Sequence, residues 1–218
     1  MKRLITFCAV ALLTAPLVAT QARQAAQADP DKPVKGGAGL PAGWKARLDS
    51  GSTKIDGVNL MLMGSGFHFM TGPAGIYYKP DAKVTGTYET HATFTQMAPS
   101  AHPEAYGLFI GGSNLDGPTQ KYTYFLIHQD GMFLVKRRDG AATPTVTNWT
   151  ANPAVKKADA SGKMTNALAI SVDKDKIHFL VNGKEVSSAD RDKLDADGIA
   201  GLRINHNLNV LVDNFGVK

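Results

Sequence analysis

Residues 166–183 read NALAISVDKDKIHFLVNG, and this stretch decides the fold. Asn166, Leu168, Ile170 and Val172 fall at every second position, as do Ile177, Phe179 and Val181 after the interruption Asp173-Lys174-Asp175. A side-chain period of two belongs to an extended strand, whose successive side chains leave the pleated backbone on opposite faces; a helical stripe would recur every three to four residues. Two such runs joined by a short polar turn make a hairpin. Asn182-Gly183 then supplies two residues that accept positive φ in a tight turn, and Lys184 to Val186 lead back alongside.

The same arithmetic extends in both directions. Over Thr87 to Gln96, Tyr88, Ala92 and Phe94 share one side, while Thr87, Glu89, His91, Thr93 and Thr95 share the other. One face is expected to be buried and the other wet. Tyr122 to His128 and Met132 to Arg137 flank Asp130-Gly131, which reads as another tight turn. Tyr106 to Gly111, Ile199 to Asn205 and Asn209 to Val217 are further strands, and Ile55 to Tyr78 holds more that glycine blurs. No segment carries a helical stripe. So many short strands in one chain imply two stacked sheets or a barrel.

The chain begins differently. Lys2 and Arg3 precede an apolar run from Leu4 to Val18, the pattern of a secretory signal peptide over residues 1–22, with Thr20-Gln21-Ala22 as one exit and Ala26-Gln27-Ala28, ending at 28, as a later one. The run is about 15 residues, short of the roughly 20 that a membrane-spanning helix needs. Residues 23–42, rich in Gln, Ala, Asp, Pro, Lys and Gly, read as a flexible tether, because they hold too little apolar surface to order themselves. The folded domain is expected over 43–218. Cys8 is the only cysteine and lies within the apolar run, so an exported chain of this kind must be held by its core rather than by disulfides. Export to the periplasm or beyond, and no membrane insertion after cleavage, are the expectations. The formal charge of +5 falls to +3 once Lys2 and Arg3 leave, or +2 if Arg23 goes as well. That excess is too weak for nucleic acid; Lys136, Arg137 and Arg138 read as a solvated strand end.

The order of elements from Tyr122 onward resembles a known pattern. It runs through Tyr124-Phe125-Leu126-Ile127, the Asp130-Gly131 turn, Phe133-Leu134-Val135, Arg137-Arg138, Asn148-Trp149-Thr150 and Pro153-Ala154. It continues with Phe179-Leu180-Val181-Asn182-Gly183, Gly198-Ile199-Ala200-Gly201-Leu202-Arg203 and Val212-Asp213-Asn214-Phe215-Gly216-Val217. This is similar to the concanavalin A-like jelly rolls, grouped with laminin G-like domains and with the bacterial 3-keto-disaccharide hydrolase family, also called domain of unknown function 1080. The resemblance implies an all-β, two-sheet antiparallel jelly-roll sandwich, with ligands across the concave sheet or in its rim loops. It implies no activity, since lectins, hydrolases and spacers share the architecture.

Glycoside hydrolysis needs two carboxyl groups, one protonated and one ionised. Jelly-roll glucanases carry theirs on one strand as E-x-D-x-x-E, whereas here the best strand reads Glu89-Thr90-His91, and only Glu104 and Glu185 are other glutamates. Glu89 beside His91 could still orient the imidazole as a general base. Tyr122, Tyr124 and His128 share a strand face, with Trp149 in a loop, and such rings match the apolar faces of sugars. Tyr122 reads first as core with its hydroxyl at the rim. Arg137 and Arg203 could fork onto a carboxylated sugar. Glu89, His91, Tyr124, His128 and Arg137 are therefore the candidate ligand-binding set, with Glu89 and His91 doubling as candidate catalytic residues. No cofactor is expected. The six histidines show no zinc spacing, and Asp195, Asp197 and Asp213 are candidates for calcium in oxygen-rich loops that depart from the D-x-D-x-D-G pattern. Gly64-Ser65-Gly66 lacks the first glycine of a nucleophile elbow. Asn148-Trp149-Thr150 fits the N-glycosylation sequon. The sequence reads first as a non-catalytic module binding a saccharide or envelope polymer, with a glycoside hydrolase or lyase and a purely structural or assembly module as the alternatives.

Overall fold

In a computed structural model of the chain, residues 30–37 and 39–218 are described, and the signal peptide expected over 1–22, with either cleavage site, lies outside them. The deciding stretch forms β10 (Met164–Val172) and β11 (Lys176–Val181), paired so that Leu168 faces Val181, Ile170 faces Phe179 and Val172 faces Ile177. All six are buried. Asn182 and Gly183 take φ of 51° and 76°, the left-handed pair that turns the chain into β12 (Lys184–Asp190). The Asn182 amide also donates to the carbonyl of Ala154 and to Oδ1 of Asn166, so the turn is tied to the loop before β10.

Ahead of this hairpin come β1 (Lys45–Leu48), β2 (Val58–Met63), β3 (Gly66–Thr71), β4 (Gly75–Val84) and β5 (Tyr88–Gln96). Then follow β6 (Ala105–Ser113), β7 (Lys121–His128), β8 (Met132–Asp139) and β9 (Thr145–Ala151). A single 3-10 turn, Arg191–Lys193, precedes β13 (Gly198–Ile204) and β14 (Asn209–Val217). Two antiparallel sheets of seven strands result, sheet A in the order β1-β4-β13-β6-β7-β8-β9 and sheet B in the order β12-β11-β10-β5-β14-β3-β2. Hairpins supply half of the neighbouring pairs, while β1-β4, β4-β13, β13-β6, β10-β5, β5-β14 and β14-β3 join non-consecutive strands, as the crossovers of a jelly roll require.

Alternate side chains from the two inner faces fill the space between. Sheet A contributes Tyr77, Tyr106, Leu108, Phe125, Ile127, Phe133 and Leu202, and sheet B answers with Phe69, Phe94, Leu168, Ile170, Phe179 and Val212. Phe94 stacks on Tyr106 across the gap, and Phe125 meets Phe179 with ring centroids 5.4 Å apart. A second buried apolar cluster lies on the outward side of sheet A: Ile76, Tyr78, Phe109, Tyr122, Tyr124, Leu126 and Leu134 are among its members. No strand or helix of the described residues forms a third layer over it.

Two readings of the sequence need correction. Trp149 belongs to β9, an edge strand, rather than to a loop. The turn at Asp130-Gly131 is a three-residue loop, because His128 pairs with Met132 and only Gly131, at φ 82°, is left-handed. One extra loop residue shifts the register of β8 by one and exchanges its two faces. The segment read as a tether also makes contacts: the Lys32 amide donates to Asn207 Oδ1 at 2.6 Å, Asn207 Nδ2 donates to the Pro30 carbonyl, and Leu40 packs at the edge of the core.

Candidate functional site

Register decides which side chains share the outward face of sheet A. Tyr122 stands opposite Arg138, Tyr124 opposite both Lys136 and Phe109, and His128 opposite Ala105 and Met132. Arg203 on β13 lies opposite Gly107 on one side and Ile76 on the other, and Arg47 on β1 continues the row beyond Ile76. A side chain at Gly107 would run into the Phe125 backbone, so glycine is what lets β6 lie this close to β7.

Arg203 is held firmly. Its Nη1 and Nη2 donate to the two carboxylate oxygens of Asp49 at 2.5 and 2.6 Å, and its Nε donates to Asn205 Oδ1. Its side chain is only 12 % exposed, against 45 % for Asp49, so a buried guanidinium meets a carboxylate at the rim. Burial pushes the Asp49 carboxyl up, but hydrogen bonds and charge from Arg203, with further charge from Arg138 and Arg47, pull it below its ordinary value. Burial alone would lower the Arg203 pKa; the bonds to Asp49 and the neighbouring Tyr122 and Tyr124 reverse that, and the group stays protonated.

Tyr122 packs between Phe109, at 5.2 Å between centroids, and Tyr124, at 5.6 Å. Neither tyrosine hydroxyl makes a hydrogen bond within the described residues. Burial pushes the Tyr124 phenol up to about 12, with Arg203 opposing, so it is a hydrogen-bond donor at neutral pH and not a base. At the other end of the face, Trp149 lies over His128, centroids 4.4 Å apart, with the indole more than a third exposed. Burial lowers the His128 pKa, and Asp130 partly offsets it. Nδ1 accepts from the Asp130 amide at 3.2 Å, which places the single proton of the neutral ring on Nε2. The near wall is the β6–β7 loop. Its Asp116 accepts from Tyr78 Oη at 2.5 Å and Lys45 Nζ at 2.9 Å, while its carbonyl accepts from Arg47. A depression of about 430 Å³ opens there between Lys45, Tyr78, Asn114 and Ile199.

The five side chains expected to form one site are not brought together. Tyr124 and His128 are on the outward face of sheet A. Glu89 and His91 are on β5, which belongs to sheet B, and they point outward from the opposite side of the sandwich, since Tyr88, Ala92 and Phe94 face its core. There the Lys218 ammonium holds Glu89 at 3.0 Å, His91 Nδ1 lies 3.8 Å from the same carboxylate, and a shallow depression of about 280 Å³ is lined by Ala167, Ala169, Leu180 and Gly183. Arg137 is on the inward side of β8 at the sandwich edge, forked to Asp195 at 3.0 and 3.1 Å. The correction follows from the longer β7–β8 loop: it is Arg138 that joins the tyrosines. Period-two reasoning gives the face of a strand but not the sheet that strand joins, and that is why Glu89 and His91 were grouped wrongly.

The acidic candidates for calcium are separated as well. Asp195 is committed to Arg137, Asp197 accepts from Arg191 and from the Gly86 amide, and Asp213 is on β14 of sheet B. Among the described residues, no three His, Cys, Asp or Glu side chains gather as metal ligands. Asp49 escaped the sequence reading because it follows β1 with no local signal that its partner is Arg203, 154 residues later. Arg138 and Trp149 carried signals, a basic cluster and an aromatic sequon, but with the wrong face and the wrong element.

No family model and no curated protein matches this chain. Solved structures do. A carbohydrate-binding module, CBM66, from Bacillus subtilis superposes with a TM-score of 0.59 at 10% identity, covering 81% of this chain and 95% of its own. A protein of unknown function with a galectin-like fold, also from Bacillus subtilis, gives 0.53 at 12% identity over 80% and 88%. A putative glycosyl hydrolase from Parabacteroides distasonis gives 0.52 at 14% over 73% and 89%. At such identities the likeness speaks for architecture alone, and the architecture is that of the concanavalin A-like jelly roll.

Proposed function

We propose that the chain is an exported, non-catalytic saccharide-binding module whose ligand lies across the outward face of sheet A, without a metal or cofactor. The observation that carries this reading is the composition of that face: two tyrosine hydroxyls without internal partners, a half-open indole and several guanidinium groups, all on one side of one sheet. An exposed ring offers its face to the C–H side of a sugar, and fixed donors around it bind the hydroxyls. The superposition on a carbohydrate-binding module supports the reading without carrying it.

Catalysis fits the same face poorly. Asp49 and Asp116 are each committed to a cation, Asp130 lies in the β7–β8 loop 3.9 Å from His128 Nδ1, and glycoside hydrolysis needs one carboxyl protonated and another ionised. The phenol of Tyr124 stays protonated, and His128 is covered by Trp149. Calorimetric titration against a panel of oligosaccharides, with a reducing-end assay on the same samples, tests both halves. Trp149→Ala and Tyr124→Phe are each expected to weaken a bound saccharide by about tenfold, the value of one lost ring contact or one hydrogen bond to ligand. Full-strength binding by both variants places the ligand elsewhere, and turnover of any panel member ends the non-catalytic reading.

A further inference from the structure

We infer that the saccharide recognised on sheet A is anionic, a polymer bearing carboxylate or sulfate groups that dock on Arg138 and Lys136; the inference rests on the binding face proposed above. Five cations project on or beside this face, Lys45, Arg47, Lys136, Arg138 and Arg203, against the carboxylates of Asp49 and Asp116. Both carboxylates are used up internally, Asp49 by Arg203 and Asp116 by Lys45 with Tyr78. Arg47 reaches only backbone carbonyls, those of Gly51 and Asp116. Arg138 and Lys136 have no hydrogen bond or ion pair at all within the described residues, and the Nε of Arg138 is sealed from solvent without an acceptor.

A half-buried guanidinium with an unpaired N–H, sharing the charge of Asp49 with Arg203 and Arg47, is an unfavourable arrangement for the protein alone. An arriving anion reverses that balance. Arg138 offers the planar fork that takes a carboxylate or sulfate through two parallel bonds, and it stands directly opposite Tyr122. Lys136 stands opposite Tyr124 one row further along, two residues or about 7 Å away. A cation thus faces a phenol in each of two successive rows of the face, so that positive charge repeats along β8, which suits a chain whose charge repeats.

The test titrates the full chain with three oligosaccharides of equal length: an oligouronate, a sulfated neutral-backbone oligomer, and an uncharged one. At low salt at least one charged oligomer is expected to bind about tenfold or more tighter than the uncharged one, and to weaken as ionic strength rises. Arg138→Gln should erase that preference, weakening the charged oligomer several-fold more than the uncharged one; Lys136→Gln should reduce it in part. Preference for the oligouronate identifies the anion as carboxylate, preference for the sulfated oligomer as sulfate, and either supports the inference. Equal binding of all three, or a preference that survives Arg138→Gln, overturns the inference and leaves saccharide binding standing. Binding of none overturns both.

Discussion

Replacing Asp49 with alanine leaves the Arg203 guanidinium, 12 % exposed and bonded through both terminal nitrogens, without its counter-charge and beside two more arginines. Breaking a fully buried pair costs about 3–5 kcal/mol, and an exposed one about 0–1 kcal/mol. Asp49 sits at the rim at 45 % exposure, so the value worked from this geometry is about 2 kcal/mol after solvent screening. For a domain of this size that is a drop in Tm of about 4–8 °C. The carboxyl's pKa is held below its ordinary value of 3.8, so the pair's contribution is fully present above that value and is lost as pH falls through the lowered one. Calorimetric scans of the wild type and Asp49→Ala should therefore differ fully at pH 7 and converge under acid. Arg203→Met removes the charge and keeps the stem, so the double variant should lose less than the sum of the two single losses. A Tm for Asp49→Ala within a degree of wild type at pH 7, with additive behaviour in the cycle, would refute the account of Arg203 as a clamped, buried cation.

Two further outcomes are expected. His178 bonds Asp173 through Nε2 at 3.1 Å and Glu185 through Nδ1 at 2.8 Å, and these bonds raise its pKa above 6.5 against a small opposing burial effect. Its contribution, under about 1 kcal/mol on a wet strand, is complete below the unfolded value and lost as pH rises through the raised one. The imidazole should titrate above 6.5 by NMR in the wild type and nearer to it in Asp173→Asn, and identical midpoints would count against the bonds. Asn166 is fully buried, accepts from the Lys156 amide and from Asn182, and donates to the Lys156 carbonyl. Asn166→Ala strands those groups and should cost about 2–4 kcal/mol, read as a lower urea midpoint at unchanged slope; a cost below about 0.5 kcal/mol would contradict that network.

The sandwich was legible because its information is local. β5, β10 and β11 announce themselves by alternation, whereas β9 does not, and the Asp173-Lys174-Asp175 and Asn182-Gly183 turns fix the β10–β11–β12 register without help from distant residues. The site was legible only in fragments. Tyr124 and His128 could be assigned to one face, because they lie two and six residues from Tyr122 on the same strand. Grouping them with Glu89 required knowing that β5 joins sheet A, and it joins sheet B between β10 and β14. Choosing between Arg137 and Arg138 required the length of one loop, and an error of one residue there sends the wrong guanidinium inward. The Asp49–Arg203 clamp joins the ends of the domain through tertiary packing alone, and no period or motif encodes it.

The distribution of aromatic residues between the two sheets makes the same choice of face independently. In sheet B, Phe67, Phe69, Tyr88, Phe94, Phe179 and Phe215 all pack at the interior, and its outward side near Glu89 is lined by Ala167, Ala169, Leu180 and Gly183. In sheet A the interior also takes its share, yet Tyr78, Phe109, Tyr122, Tyr124 and Trp149 remain on the outward side. A sandwich gains stability by burying rings between its sheets, where each removes apolar surface from water on both sides. On the outward face of sheet A the rings bury one another instead, and Trp149 is the one left substantially open to solvent. Cations set among them, with the available carboxylates already consumed, add an electrostatic cost that folding alone does not repay. Fold stability would be served as well by the alanines and threonines of sheet B. On the binding reading proposed above, the departure on sheet A serves a ligand that carries hydroxyls and negative charge.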